Sequence, residues 1–312
     1  MKNASAFEKN LREQPRLVRG LLRGRGPALP RPSRGKTLFL VGTGTNHHAA
    51  QLARWFWPRA PFSVQAWSSF DFSRLPARPG PGDVVAILSH RGTKRFSLLA
   101  LERAQAAGAR VALLTAEGAP APKGVAVVST CAAEETGAYT KSLTTTLACL
   151  ARWTGSRALT AALVRQAGRL DYGPALPRLS AGADVVLVGD GPGEWAARET
   201  ALKLFETAHL PVRAFGLEEF LHGPRLSLGR RSMVVGFSRA QEPRWAAARQ
   251  YLRAVGVRFL EVRAPASAAG WLPQLYWGQR LALTTARALR VDPDALRTDD
   301  PRWKRARRAL SL

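Results

Sequence analysis

Cysteine is nearly missing: the 312 residues hold two, Cys131 and Cys149, which make neither a disulfide framework nor a zinc-ligand pattern. Long apolar stretches are missing as well, since no run of about 18 uncharged apolar residues occurs that could span a bilayer. The N-terminal MKNASAFEKNLREQ lacks the apolar core of a signal peptide and carries acidic residues, which predicts no export. A cytoplasmic protein without metal or cofactor is expected. Acidic residues are scarce: 22 Asp+Glu stand against 47 Lys+Arg, a formal charge of +25. The excess is spread from Arg12 to Arg308 rather than gathered in one block, and no zinc finger or RNP sequence accompanies it. Nucleic acid is therefore expected only as a nonspecific partner, and the charge helps to draw in phosphorylated ligands.

What is present is a globular composition, 46% apolar and 22% charged, in a chain long enough for about two ordinary domains. Residues 1–35 read as a helical lead, FEKNLREQPRLVRGLLR, and a Pro/Arg/Gly linker, GRGPALPRPSRG. Strands and helices then alternate. TLFLVGTG reads as strand and turn, NHHAAQLARWFW as helix, FSVQAW and DVVAILSH as strands, FSLLALERAQAAG as helix and RVALLTA as strand. This alternation predicts an α/β fold with a parallel sheet and helices on both faces. The second half repeats the first. FLVGTGTNHHAAQL (39–52) lies over VLVGDGPGEWAARE (186–199), so that Gly42, Gly44, Ala49 and Ala50 recur 147 residues later as Gly189, Gly191, Ala196 and Ala197. VVAILSH (84–90) echoes MVVGFSR (233–239), and AAGARVALL (106–114) echoes AVGVRFLEV (254–262), at nearly the same separation. The duplication predicts two tandem domains at 36–155 and 181–295, joined through 156–180, where TGSRALTAALVRQAGRL reads as a helix, and followed by a basic tail at 296–312.

Ligands of such sheets bind beyond the carboxyl ends of the strands, where helix N-termini offer free N–H groups. Gly42-Thr43-Gly44-Thr45-Asn46 sits there, with hydroxyls that can donate to an anion, although a tight turn alone would also account for its glycines. Ser89-His90-Arg91-Gly92-Thr93-Lys94 adds hydroxyls and cations beyond what a turn requires. Converging donors at a helix start suit a phosphate, and charged ones bind it most strongly. The alternative is that Arg91, Lys94 and Arg95 are solvated surface cations. Neither GxxxxGK[ST] nor GxGxxG is present in the loop, so a sugar phosphate fits better than a nucleotide. The second half has no comparable loop, for Phe237-Ser238-Arg239-Ala240-Gln241 keeps one serine. It offers instead Glu199, Lys203 and Glu206, whose spacings of four and three put them on one helix face. That face is either an exposed ion-pair ladder or a working group. Glu218, Glu219 and His222 precede a Gly-Pro turn, and a histidine beside carboxylates suits proton transfer.

The segments LREQPRLVRG, VGTGTN, ILSHRGT, GAYTKSLTTTL, ETALKLFE, EEFLHGP and DDPR follow one another in this order around the duplication. In that order they resemble the double sugar-isomerase-domain (SIS) family, above all the isomerase half of glucosamine-6-phosphate synthase, over nearly the whole chain. The resemblance implies two flavodoxin-like α/β domains, a homodimer, and a phosphorylated sugar bound near the domain and subunit junctions. It implies that Thr43, Gly44, Ser89, His90 and Arg91 surround the phosphate, with Thr45, Thr93 and Lys94 in the same loops, and that Thr140 approaches the ligand. Glu206 matches the base that moves a proton between C1 and C2, and Lys203 a neighbouring active-site lysine. His222 matches a ring-opening histidine supplied by the partner subunit.

The chain departs from the family pattern in places that bear on activity. The family loop reads Ser-Gln-Ser-Gly-Glu-Thr, whereas here Ser-His-Arg-Gly-Thr-Lys loses a hydroxyl and gains cations. The family's terminal lysine, which opens the ring through an imine, falls on Ala306; Lys304 is the nearby substitute, while Arg307 cannot form an imine. No cysteine glutaminase domain precedes the isomerase-like part, so glutamine is not expected to supply ammonia within this chain. Two readings follow: an isomerase or deaminase acting on a hexose or aminohexose 6-phosphate, with Glu206, His222, Lys203 and Lys304 as catalytic groups, and a non-catalytic sugar-phosphate-binding or sensor protein of the same fold.

Overall fold

The computed structural model describes residues 4–24, 26–120, 122–169, 172–297 and 300–310. The chain divides into two compact units. One, here the N-sheet unit, comprises Arg16–Glu135, Tyr139–Leu159 and the tail at 300–310; the other, the C-sheet unit, comprises the residues up to Pro15, Thr136–Ala138 and Thr160–Arg297. Helix α1 (Ala6–Arg23) passes from the second to the first at Pro15.

Five parallel strands form the N-sheet: β1 (Thr37–Gly42), β2 (Ser63–Ser68), β3 (Val84–Leu88), β4 (Arg110–Thr115) and β5 (Ala126–Ser129), in the order β2-β1-β3-β4-β5. Every residue of β3 is buried, as expected of a strand covered on both faces. Phe39, Val41, Val85, Ile87, Val111 and Leu113 form one face of the core, with Phe72 of α3 (Ser69–Arg74) and Leu101 of α4 (Arg95–Ala106). Their strand neighbours Leu38, Leu40, Ala86 and Leu88 are buried on the opposite face. Helices α2 (Thr45–Ala53) and α5 (Lys141–Thr154) complete this unit's main frame.

Four parallel strands form the C-sheet: β6 (Val185–Gly189), β7 (Arg213–Gly216), β8 (Met233–Ser238) and β9 (Arg258–Arg263), in the order β7-β6-β8-β9. Through four strands this repeats the order of the N-sheet. The correspondence reaches single residues. Gly44 has φ 56° and ψ −127°, and Gly191 has φ 53° and ψ −124°, backbone that side chains rarely adopt. A Cβ on Gly42 would lie 2.5 Å from the backbone of Asn46, and one on Gly189 would lie 2.3 Å from that of Gly193 and Glu194. Both glycines therefore let the next helix start hard against the strand end.

In the C-sheet unit, α7 (Pro192–Thr207) packs on α10 (Trp271–Ala288), with α8 (Leu217–His222) and α9 (Arg244–Ala254) nearby in sequence. The helix expected over TGSRALTAALVRQAGRL is shorter: only α6 (Ala161–Ala167) forms, capped by Thr160 Oγ1, which accepts from Leu163 N. Gly155, left-handed at φ 71°, ends α5 ahead of it, and Gly168 ends α6; Leu170 lies outside the described residues. The tail forms α11 (Pro301–Arg307). Among the described residues no helix is long and apolar enough to cross a membrane. Both cysteines are free and buried, and burial pushes the Cys149 thiol up to about 12.

Candidate functional site

In the order β2-β1-β3 the chain reverses direction of growth between β1 and β3, which is where a ligand crevice forms in open parallel sheets. The loops after β1 and β3 flank that point. After β1, Thr43 and Gly44 are exposed and Thr45 is buried as the first residue of α2, which has no capping side chain. After β3, Ser89 and His90 are buried, whereas Arg91, Thr93 and Lys94 are exposed. Gly92 turns the chain at φ 67°, and α4 begins at Arg95 without a capping side chain.

Ser89 N donates to Leu114 O in the ladder, but its buried Oγ has no hydrogen-bond partner. His90 Nε2 accepts from Glu134 N at 3.0 Å, which puts the neutral ring's proton on Nδ1, and Nδ1 is buried without a partner. Burial lowers the His90 pKa, opposed by Glu134 and assisted by the charges of Arg91 and Lys141. The ring lies edge-on to Tyr139, centroids 4.7 Å apart.

Glu134 is the residue the sequence does not single out. It is 3% exposed, and its carboxylate accepts from Thr140 N at 3.0 Å, Lys141 N at 3.3 Å and Ser142 N at 2.9 Å. It thus satisfies the orphan donors at the start of α5. Thr140, expected near the ligand, is buried and directs its hydroxyl to Glu134 at 3.4 Å. Ser142 Oγ is a further buried hydroxyl without a partner.

The C-sheet unit carries the acid–base candidates. Lys203 is completely buried; its Nζ lies 3.3 Å from Glu199 Oε1 and 2.6 Å from Glu206 Oε2. Burial works against its charge, but the two carboxylates outweigh it and raise the pKa, so Lys203 stays an ammonium. The spacing of these residues is therefore not that of an exposed ladder: Glu199 is as buried as Lys203, and only Glu206 keeps part of its side chain, 27%, open to solvent. His222 ends α8 and is exposed, with Nε2 3.2 Å from Glu218 Oε1. Glu218 also accepts from Arg244 Nε and Nη2 at 2.9 and 2.8 Å, which with His222 holds its carboxyl below the usual range. Lys304 lies exposed on α11 in the N-sheet unit.

The corresponding loops of the two sheets differ in one chemical respect. After β8, Ser238 Oγ donates to Glu261 at 2.8 Å and Arg239 pairs with Asp190 and Glu242. After β3, Ser89 Oγ has no partner and Arg91 no ion pair among the described residues. A cavity of about 550 Å³ does open at the ends of β6 and β7. Its carboxylates Asp190, Glu194, Glu218, Glu219 and Glu242 are all engaged by Arg198, Arg239 or Arg244. No group of three or more potential metal ligands occurs among the described residues.

Comparison with known proteins places this arrangement. No family model matches the chain. A glutamine–fructose-6-phosphate aminotransferase of Streptomyces coelicolor is 31% identical over 260 residues, 71% of this chain and 42% of that protein. The chain thus spans less than half the length of the curated relatives it matches. Among solved structures, the C-terminal domain of glucosamine-fructose-6-phosphate aminotransferase from Francisella tularensis superposes with a TM-score of 0.76 at 17% identity, covering 94% of this chain and 99% of that one. Glucosamine-6-phosphate deaminase from Thermotoga maritima superposes at 0.74 and 18% identity, covering 94% and 97%. The chain is a relative of the double sugar-isomerase-domain proteins. Within that class it resembles the isomerase half of glutamine–fructose-6-phosphate aminotransferase.

Proposed function

We propose that the chain binds a hexose or aminohexose 6-phosphate and isomerises or deaminates it, its two sheets being tandem sugar-isomerase domains. The observation that carries the reading is the asymmetry of the repeated loops: after β8 the serine hydroxyl and the arginine, Ser238 and Arg239, are engaged within the protein, whereas after β3 Ser89 Oγ and His90 Nδ1 are left for a ligand. Arg91 stands where it can add a charge-assisted bond to a phosphate, with Thr43, Gly44 and Thr45 across the switch point.

Proton transfer falls to Glu206. It is the one member of its triad that solvent reaches, and the buried Lys203 ammonium fixes its Oε2. A carboxylate so held can take the C2 proton of an open-chain sugar phosphate and return it at C1, through an enediol or enolamine. Lys203 stabilises the carboxylate as it does so. His222, exposed beside Glu218, is assigned to ring opening from the partner of a homodimer, and the protein to the cytoplasm.

Fructose 6-phosphate, glucose 6-phosphate and glucosamine 6-phosphate are the probes. At least one raises the melting temperature, because a ligand of the folded state stabilises it; no shift with any of them overturns the reading. With the ligand that binds, solvent deuterium enters C1 or C2. Glu206→Gln slows that exchange at least about 100-fold, and an unchanged rate removes Glu206 as the base. The second reading, a sugar-phosphate binder without turnover, is favoured by Ala306 at the position of the family's terminal lysine; binding without exchange establishes it.

A further inference from the structure

A second cavity lies toward the start of β1, at the opposite end of that strand from the ligand loops, with Leu38 in its lining. The stretch Trp55-Phe56-Trp57-Pro58 builds part of it. Helix α2 stops at Ala53 and Arg54–Phe56 form a single 3₁₀ turn. Pro58 and Pro61, in the loop that leads to β2, have no N–H with which a helix could continue. Phe56, Trp57 and Phe62 thereby line, with Trp153 in the last turn of α5, a space of about 380 Å³. That volume is within the range of about 300–1,000 Å³ found for small-molecule sites. Trp57 and Trp153 meet edge to face, with centroids 5.9 Å apart and planes at 85°, an arrangement that aromatic rings prefer. The whole lining belongs to the N-sheet unit.

Two polar features decide what fits there. Trp153 is 4% exposed, and its Nε1, which can only donate, is buried without a partner among the described residues. A buried N–H in that state costs free energy until an acceptor reaches it. Arg31 also lines the space, and its Nη2 donates to Trp153 O at 3.2 Å. That bond sets Arg31 apart from the many arginines of this chain that merely lack an ion pair: it seats a guanidinium against the tryptophan that has the spare donor. Arg59 is the other charged residue of the lining, and no acidic residue belongs to it among the described residues. Aromatic walls with one indole N–H and one seated guanidinium suit a flat, apolar ring system that bears a carboxylate. A cation, which the rings alone would attract, meets the two arginines instead. We infer that this cavity is a second small-molecule site, for a planar aromatic carboxylate, whose charged group is held by Arg31 and Trp153 Nε1 while Phe56, Trp57 and Phe62 pack on its ring. The inference is independent of the sugar-phosphate reading.

Calorimetric titration of the full chain at neutral pH and constant ionic strength with naphthalene-2-carboxylate, naphthalene-2-carboxamide and protonated 2-naphthylmethylamine tests it. The carboxylate binds at least about tenfold more tightly than the amide, the gain of a charge-assisted bond, and the ammonium binds more weakly than either. Excess fructose 6-phosphate does not displace the carboxylate. Arg31→Gln, at an exposed position, weakens the carboxylate about tenfold and brings it level with the amide. Arg34→Gln, an equal loss of charge outside the lining, leaves its affinity within about threefold. Trp153→Phe keeps a ring, removes the N–H, and weakens both the carboxylate and the amide by about threefold or more; its melting temperature shows whether it folds, and if it does not, Arg31→Gln decides alone. No binding of the carboxylate, or binding of the amide within about threefold of it, overturns the inference. An affinity that Arg31→Gln leaves unaltered does so too, as does displacement by fructose 6-phosphate, which places the compound at the ligand loop. The sugar-phosphate reading stands in each of these cases.

Discussion

At the scale of single residues, His90 ties the candidate loop to the core. Its Nε2 accepts the Glu134 N–H, a bond that the protonated ring cannot make. Burial is the largest influence on the ring and holds its pKa below that of a free histidine, 6.5. Because the folded value is depressed, the unfolded chain binds more protons between the two values, so stability rises with pH there. The contribution is complete above about pH 6.5 and is lost as pH falls through the folded value. His209, also lowered, by its burial and then by Arg297, acts in the same sense, so the comparison that isolates His90 is with a variant. Urea denaturation between pH 5 and 8 gives a stability that declines on acidification. In His90→Gln the decline is shallower, and an unaltered slope refutes the assignment. Lys203 shows the complementary case, in which pairing with Glu199 and Glu206 outweighs burial and keeps a cation charged through the same range.

At the scale of elements, α7 holds the candidate base in place through α10. A Cβ added at Gly278 would lie 1.8 Å from Thr200 Oγ1, and that hydroxyl already donates to Ala196 O at 2.8 Å. The helices can therefore approach only where residue 278 has no side chain. Gly278→Ala is expected to destabilise the folded state by about 1–3 kcal/mol and to lower Glu206-dependent exchange with it; Gly229→Ala, where a Cβ meets nothing within 4 Å, is the control. No loss of denaturation midpoint in Gly278→Ala counts against this packing. Much at this scale was legible in the sequence. The strands β1, β3, β4, β6 and β8 are covered on both faces and so read as continuous apolar runs. Gly42 and Gly189 marked equivalent strand ends because both ends demand the same backbone. The edge strands β5 and β7 were not legible. Each has four residues and is half exposed, too short for a period to register. Spacing put Glu199, Lys203 and Glu206 on one face but could not say that α10 covers α7. Glu134 acts on N–H groups six to eight residues onward through a loop, an arrangement with no sequence period.

At the scale of the whole molecule, the charge of +25 needs an account separate from the ligand loop. Many cations of the C-sheet unit are engaged with carboxylates, whereas Arg302, Lys304, Arg305 and Arg308 of the tail are exposed and make no ion pair among the described residues. Such a segment binds polyanions through their phosphates, releasing condensed counterions, and carries no base readout. Affinity for duplex DNA is thus expected to fall linearly with the logarithm of salt concentration and to ignore sequence. The slope diminishes by about 0.9 for each phosphate that is no longer neutralised, so replacing these four residues with glutamine lowers it by between about 1 and 4. Titrations of two unrelated duplexes from about 50 to 200 mM salt measure both properties. A slope untouched by the replacements moves the binding surface away from the tail. A preference of more than about tenfold between the duplexes would mean base readout, and the charge would then be a recognition surface rather than a nonspecific field.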